Sequence, residues 1–227
     1  GGGAVADAQV RLHGVGKVFM AGEPPAPLRA LGPLDLELRR GEFFAVVGPS
    51  GCGKSTLLEL IAGLSVATEG AIDFEGRAIA GEPPDGIGVV FQDDASLPWL
   101  DVASNVAFGL RRASLGKEER ELRVRNVLRM VGLSDFASTY PAQLSGGMRQ
   151  RVCIARTLVM QPRLILLDEP LSNLDAKLRE EMRVELKKLI KQVSISALYV
   201  THDQEEAFTI SDAVVVMDAG KILQYGA

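Results

Sequence analysis

Phe43-Phe44-Ala45-Val46-Val47-Gly48-Pro49-Ser50-Gly51-Cys52-Gly53-Lys54-Ser55-Thr56 is the stretch that decides the fold. Its apolar start, stopped by Gly48, reads as a buried strand. From Ser55 onward Leu57, Leu58, Ile61 and Leu64 recur at helical spacing. Between strand and helix lies the full pattern Gly-x-x-x-x-Gly-Lys-Ser, from Gly48 to Ser55. Glycines there let backbone N–H groups face phosphate oxygens, and the helix N-terminus adds its positive end. Lys54 reaches the β- and γ-phosphates, and the Ser55 hydroxyl suits Mg²⁺.

Further apolar runs follow at Ile87–Phe91, Leu164–Asp168, Leu198–Thr201 and Val214–Met217. They predict buried parallel strands of an α/β sheet. Upstream, Val10-Arg11-Leu12 and Leu34-Asp35-Leu36-Glu37-Leu38 alternate, as a half-exposed antiparallel sheet would. Proline- and glycine-rich loops lie at 23–27 and 81–86. From about Asp101 to Gln161 the spacing turns helical, with Leu122, Val127, Leu128 and Val131 as its apolar positions. Ala176–Val193 predicts an amphipathic helix with Leu178, Met182, Leu186, Leu189, Ile190 and Val193 on one stripe. The expected fold is α/β: a P-loop core of mainly parallel sheet, an N-terminal antiparallel β subdomain and an inserted helical subdomain. As one domain it spans 1–227, with the core at 5–92 and 162–227 and the helical part at 93–161.

The chain has 227 residues, 47% of them hydrophobic, enough for one sizeable core. A net charge of -4 gives no basic face for nucleic acid or an anionic membrane. Cys52 and Cys153 form no spaced framework and read as free thiols in a reducing compartment. No apolar run approaches the ~20 residues that cross a bilayer. Gly1-Gly2-Gly3-Ala4 has neither a basic nor an apolar stretch, so no signal peptide is expected. A soluble, cytosolic chain follows, with any membrane role coming through a partner.

Asp168 ends a strand of aliphatics, where an acid is costly unless a cation stands nearby. It is the expected Mg²⁺ partner, and Glu169 is placed to polarise an attacking water. His202, in Thr201-His202-Asp203, falls at another strand terminus, where ligands of α/β sheets collect, and fits a hydrogen bond to the γ-phosphate. His13 has no such company. Gln92 ends the run at Phe91 and can contact both Mg²⁺ and the water. Leu144-Ser145-Gly146-Gly147-Met148 opens a helix and offers a second phosphate cradle. One nucleotide needs one cradle, so the surplus points to two copies sharing their nucleotides. Cys52, beside Lys54 and a helix N-terminus, is an expected site of alkylation against which ATP protects.

In order, these motifs resemble the nucleotide-binding subunit of an ATP-binding cassette (ABC) transporter over nearly the whole chain. The Walker A loop is Gly48–Thr56, the Q-loop Gln92, the signature Leu144–Met148 and the Walker B strand Leu164–Asp168. Glu169 follows it, then the D-loop Ser172-Asn173-Leu174-Asp175 and the switch histidine His202. The resemblance implies ATP hydrolysis at two composite sites of a head-to-tail homodimer. Gly48, Pro49, Ser50, Gly51, Cys52, Gly53, Lys54, Ser55, Thr56 and Gln92 of one copy would bind MgATP. Ser145, Gly146, Gly147 and Asp175 of the other would complete the site. Ser55, Gln92 and Asp168 would hold Mg²⁺. Glu169 would act as general base, with His202, Lys54 and Gln92 as its catalytic company. Phe19 matches the family's adenine-stacking aromatic. Two residues depart from the family pattern: Met148 stands where glutamine is usual, and Asn173 where alanine is frequent.

A single cassette resembles the separate ATPase subunit of a bacterial importer, which lies on the cytoplasmic face of the membrane against transmembrane permease subunits and acts indirectly with a substrate-binding protein. The segments 85–92, 97–100, 105–110 and 144–151 look like the nitrate, sulfonate and taurine group. The segments 172–179 and 201–207 resemble the sulfate, polyamine and sugar groups. The main expectation is thus a small anion, and the alternative a sulfate, polyamine or sugar importer. Trp99 is expected either to receive a permease helix or to pack inside the helical part. A soluble cassette protein of DNA repair or ribosomes would usually show paired cassettes, long insertions or a basic face. A kinase would lack the Ser-Gly-Gly run and His202, and a GTPase would carry an Asn/Thr-Lys-x-Asp motif, absent here. An intact Glu169 argues against a cassette that only binds.

Overall fold

The computed structural model describes residues 8–92 and 96–226. The expected domain start at residue 5, the boundary at 93 and Ala227 lie outside them. In chain order the elements are β1 (Ala8–Ala21), β2 (Ala26–Arg39), β3 (Phe43–Val47), α1 (Lys54–Ile61), β4 (Glu69–Phe74), β5 (Arg77–Ala78) and β6 (Ile87–Val90). Then come α2 (Val102–Phe108), α3 (Lys117–Met130), α4 (Gly146–Leu158), β7 (Leu164–Asp168), α5 (Ala176–Val193), β8 (Ser196–Thr201), α6 (Gln204–Ile210), β9 (Ala213–Asp218) and β10 (Lys221–Gly226). Two 3-10 turns, Ser134–Phe136 and Pro141–Gln143, lie between α3 and α4.

One sheet runs β10-β9-β3-β8-β7-β6, parallel from β9 to β6 with β10 antiparallel at its edge. Its parallel strands are aliphatic because both faces are covered. Successive side chains of a strand point to opposite faces. Thus Leu164 and Leu166 enter one core with Phe44, Val46, Leu198 and Val200, while Ile165 and Leu167 enter a second with Phe43, Ala197 and Tyr199. The first core is closed by α1, through Leu57, Leu58, Leu60 and Ile61, and by the second sheet. That sheet is antiparallel, ordered β2-β1-β4-β5, with pairs such as Leu12↔Leu36 and Val15↔Leu34. Its alternation follows from having one face on α1 and one in water.

The second core is filled by α2 to α5. α5 contributes Met182, Leu186 and Ile190 as fully buried positions, four residues apart along one face. Met182 belongs to a smaller cluster with Leu171, Leu174 and Leu178. Leu122 and Leu64, expected inside, are exposed. α3 turns Val124, Val127 and Leu128 inward instead, and α1 ends at Ile61, before Leu64. β4, β5 and β10 carry no long apolar run and were not expected from sequence. No helix among the described residues is long and apolar enough to cross a membrane.

Candidate functional site

Because β3, β8 and β7 are adjacent and parallel, their C-terminal ends lie side by side. Val47 leads into the glycine loop, Asp168 ends β7 and Thr201 ends β8, so residues more than a hundred positions apart share one edge. Strand spacing of about 4.8 Å sets that closeness. In open α/β sheets, ligand crevices form at such edges.

The loop is shaped by close backbone approach. A Cβ on Gly48 would come within 2.2 Å of the Met217 carbonyl, and Gly53 has φ 103° with the Ala30 carbonyl 2.6 Å from where a Cβ would stand. Lys54 is buried, and its Nζ donates to the Gly48 carbonyl at 2.8 Å and the Pro49 carbonyl at 2.9 Å, with Cys52 Sγ at 4.0 Å. The ammonium is thus curled under the cradle that a phosphate would fill. Cys52 is 3% exposed, so the expected alkylation needs the loop to open. The N–H of Gly220 donates to the Cys52 carbonyl at 2.9 Å, and the N–H of Gly32 to the Gly220 carbonyl at 2.8 Å. The β9–β10 turn therefore buttresses the loop, a part that sequence reading missed; the signal was Ala219-Gly220, a glycine turn between two strands.

Ser55 Oγ donates to Asp168 Oδ1 at 3.3 Å. Burial pushes the Asp168 carboxyl above its ordinary range, with the Ser55 hydrogen bond and Lys54 working against it and Glu169 with it. A carboxylate left in that state, beside a hydroxyl, is a donor set that suits a hard divalent cation. Glu169 stands in the left-handed region, φ 43°, unusual for a residue with a side chain. Its N–H is held by the Val200 carbonyl at 2.9 Å. That turn aims its carboxylate at His202, whose Nδ1 lies 3.0 Å from Glu169 Oε2. The sequence placed these two side chains in one site; it did not show that they touch.

The remaining predicted residues are held by contacts of their own. Ser145 caps α4, accepting from the Met148 N–H at 3.3 Å. A Cβ on Gly146 or Gly147 would meet Leu174 or Leu178 at 3.2 Å, so the signature packs on the D-loop and α5. Asp175 caps α5, accepting from the Leu178 N–H at 3.0 Å, which commits its carboxylate to the helix in this chain. Gln92 is exposed, and its carbonyl accepts from Asn173 Nδ2 at 3.2 Å. The departure at Asn173 therefore supplies a link between D-loop and Q-loop that alanine could not make. Met148 is half-buried and packs against the second core. Phe19 is 39% exposed, with Lys17 Nζ 5.0 Å from its ring centre, so it is not a core residue. Trp99 is 69% exposed, which removes the alternative that it packs inside the helices. The buried Asn105 holds that loop, donating to the Leu97, Leu100 and Asp101 carbonyls and accepting from the Leu97 N–H.

A family model described as "ABC transporter" matches residues 31–172, which includes the glycine loop, Asp168 and the signature. The chain belongs to the ABC transporter family. The cassette is 48% identical over 222 residues to an sn-glycerol-3-phosphate import ATP-binding protein of Rhodopseudomonas palustris, covering 97% of this chain and 60% of that protein. It is 46% identical to a spermidine/putrescine import ATP-binding protein of Thermobifida fusca, covering 96% of this chain and 56% of that one. A maltose/maltodextrin import ATP-binding protein of Mannheimia succiniciproducens is 48% identical, with 96% and 58% covered. The chain thus spans about 60% or less of the length of these curated relatives. Among solved structures, the dimeric bacterial ABC transporter cassette MJ0796 superposes with a TM-score of 0.82 at 34% identity, covering 96% of this cassette and 97% of that one. The same protein has been seen as a dimer in a post-hydrolysis state bound to ADP and Pi, with a TM-score of 0.81. The ABC ATPase cassette fold, with its P-loop core, is therefore established for this chain.

Proposed function

We propose that this cassette hydrolyses ATP to ADP and phosphate as one half of a homodimer, and that it drives a separate membrane permease of an importer. The observation that carries the reading is the Glu169–His202 pair beside Ser55 and Asp168, at the ends of adjacent strands, with Ser145 committed to the start of α4 and Gly147 packed on α5. Lys54 would leave the loop carbonyls for the β- and γ-phosphates, and Phe19 would stack on adenine. Ser55, Asp168 and the Gln92 amide would hold Mg²⁺, which when bound neutralises phosphate charge. Glu169 Oε2 takes the proton of the attacking water. His202 Nδ1 faces Glu169, leaving Nε2 for a γ-phosphate oxygen. Ser145, Gly146 and Gly147 of the second copy would close over that phosphate, with its Asp175 at the dimer face. Catalysis of this kind is mostly positioning and charge neutralisation. The helices between β6 and β7 act as the subdomain that carries the signature to the partner.

The relatives named above import glycerol phosphate, polyamines and maltose, which favours the sugar and polyamine groups over the nitrate, sulfonate and taurine group expected first. Trp99, displayed by the Asn105 clamp, would receive the permease at the cytoplasmic face of the membrane. The deciding experiment is Glu169→Gln with ATP added. Turnover should fall by about two orders of magnitude or more, the range of a general base, and a dimer holding ATP should accumulate. A monomer with undiminished turnover would end the reading.

A further inference from the structure

Glu206 lies in α6 and is 5% exposed, a carboxylate taken out of water. Its Oε2 accepts from the Thr201 hydroxyl at 2.8 Å and from the Tyr199 hydroxyl at 3.1 Å. Its Oε1 faces Arg179 Nε at 3.8 Å, and that nitrogen makes no hydrogen bond. Arg179 in turn donates from Nη2 to the Leu174 carbonyl at 2.9 Å. Thr201 Oγ1 also accepts from the Asp203 N–H at 3.0 Å. The residues on both sides of His202 are thus held by one hydroxyl, and that hydroxyl is held by Glu206.

Burying a carboxylate is costly even when it is paired, and well-packed apolar residues often serve stability as well or better. Stability alone is therefore a weak reason for an acid here. Its contacts do: one oxygen goes to the strand end that presents His202, and the other turns toward the arginine that grips the D-loop.

We propose that Glu206 is a positioning residue: it fixes the Thr201–Asp203 turn that aims His202, and through Arg179 it ties that turn to Leu174 of the D-loop. The inference rests on reading His202 as the group that meets the γ-phosphate. A displacement of His202 by phosphate would then reach the D-loop, where the second copy sits, within the same chain.

The chain has two histidines, His13 and His202, so imidazole ¹⁵N NMR reads His202 with His13 as internal reference. Glu206→Leu should shift the His202 signals and leave those of His13. It should also lower kcat for ATP about tenfold while KM stays within about twofold, as a misplaced catalytic group does. Glu206→Gln, which keeps an acceptor oxygen, should recover part of both. Combined with Arg179→Met, Glu206→Leu should lose no more than the worse single variant. If Glu206→Leu does not fold, Thr201→Val carries the same two readouts and Thr201→Ser the rescue. Unmoved His202 signals in the folded variant overturn the proposal, whatever happens to kcat. Additive losses with Arg179→Met overturn the D-loop link. Undiminished turnover in His202→Ala would sink the role given to His202 and leave the NMR coupling to be judged by itself.

Discussion

At the scale of single residues, the site is held in a state of unmet demand. Asp168 is half-buried with more desolvation than Ser55 compensates, Lys54 is folded onto loop carbonyls, and Glu169 is wound into a left-handed turn. Such strain and desolvation are tolerated where a ligand relieves them. Asp168→Asn removes the half-buried charge and keeps the shape. Without nucleotide its Tm should rise, by roughly 2–4 °C for each kcal/mol relieved. Its Mg²⁺-dependent turnover should collapse. A calorimetric scan and a phosphate-release assay read the two effects; a lowered Tm would show that Ser55 and Lys54 already satisfy the acid. These residues differ in how readable they were. Asp168, Glu169 and Lys54 stand inside short local patterns. The Glu169–His202 contact and the Asn173 link to Gln92 join segments far apart in sequence, and no local pattern encodes them.

At the scale of elements, the same side chain can serve a helix and a ligand. Ser145 caps α4 and Asp175 caps α5, each accepting one of the N–H groups a helix start leaves unpaired. Ser145→Ala should cost about 1 kcal/mol of stability, the usual loss for a cap, and thermal unfolding measures that. If Ser145 also reaches ATP on the second copy, turnover at saturating ATP should drop far more than a shift of that size explains. Equal, small losses in both would leave Ser145 a cap. The strands of the parallel sheet were legible because burial on both faces demands an unbroken aliphatic run. β4 was not: Glu69-Gly70-Ala71-Ile72-Asp73-Phe74 has only Ile72 and Phe74 buried, and its pairing with β1 supplies what its composition does not. Leu122 misled for the converse reason, since α3 carries more apolar positions than its buried face can use.

At the scale of the whole molecule, the two sheets are joined by a polar clasp as well as by α1. Gln9 Nε2 reaches Glu75 Oε1 at 3.3 Å, Arg40 Nη1 reaches the same oxygen at 2.8 Å, and Arg163 Nε lies 2.8 Å from Glu75 Oε2. Ser196 Oγ, from β8, donates to Gln9 Oε1. Burial acts to raise the Glu75 carboxyl, but Gln9, Arg40 and Arg163 outweigh it and hold it below the ordinary range. An acid so lowered binds its proton less readily folded than unfolded, so its contribution is present above the ordinary glutamate pKa and is lost as pH falls through the lowered value. Glu75→Gln should therefore be less stable than the parent at pH 7, and the gap should close in acid. Denaturant midpoints at both pH values test this, and a gap that widens in acid would contradict it. The buttress on the phosphate loop has a consequence of another kind. Its carbonyl at Cys52 is met by Gly220, near the last of the described residues, and Gly220 is met in turn by Gly32. As the chain leaves the ribosome, the glycine loop emerges long before the turn that braces it. Domains fold as units during synthesis, so the cradle should gain full grip on nucleotide only when the β9–β10 hairpin has docked. A nascent chain halted before residue 213 would then bind ATP poorly even with every motif already made.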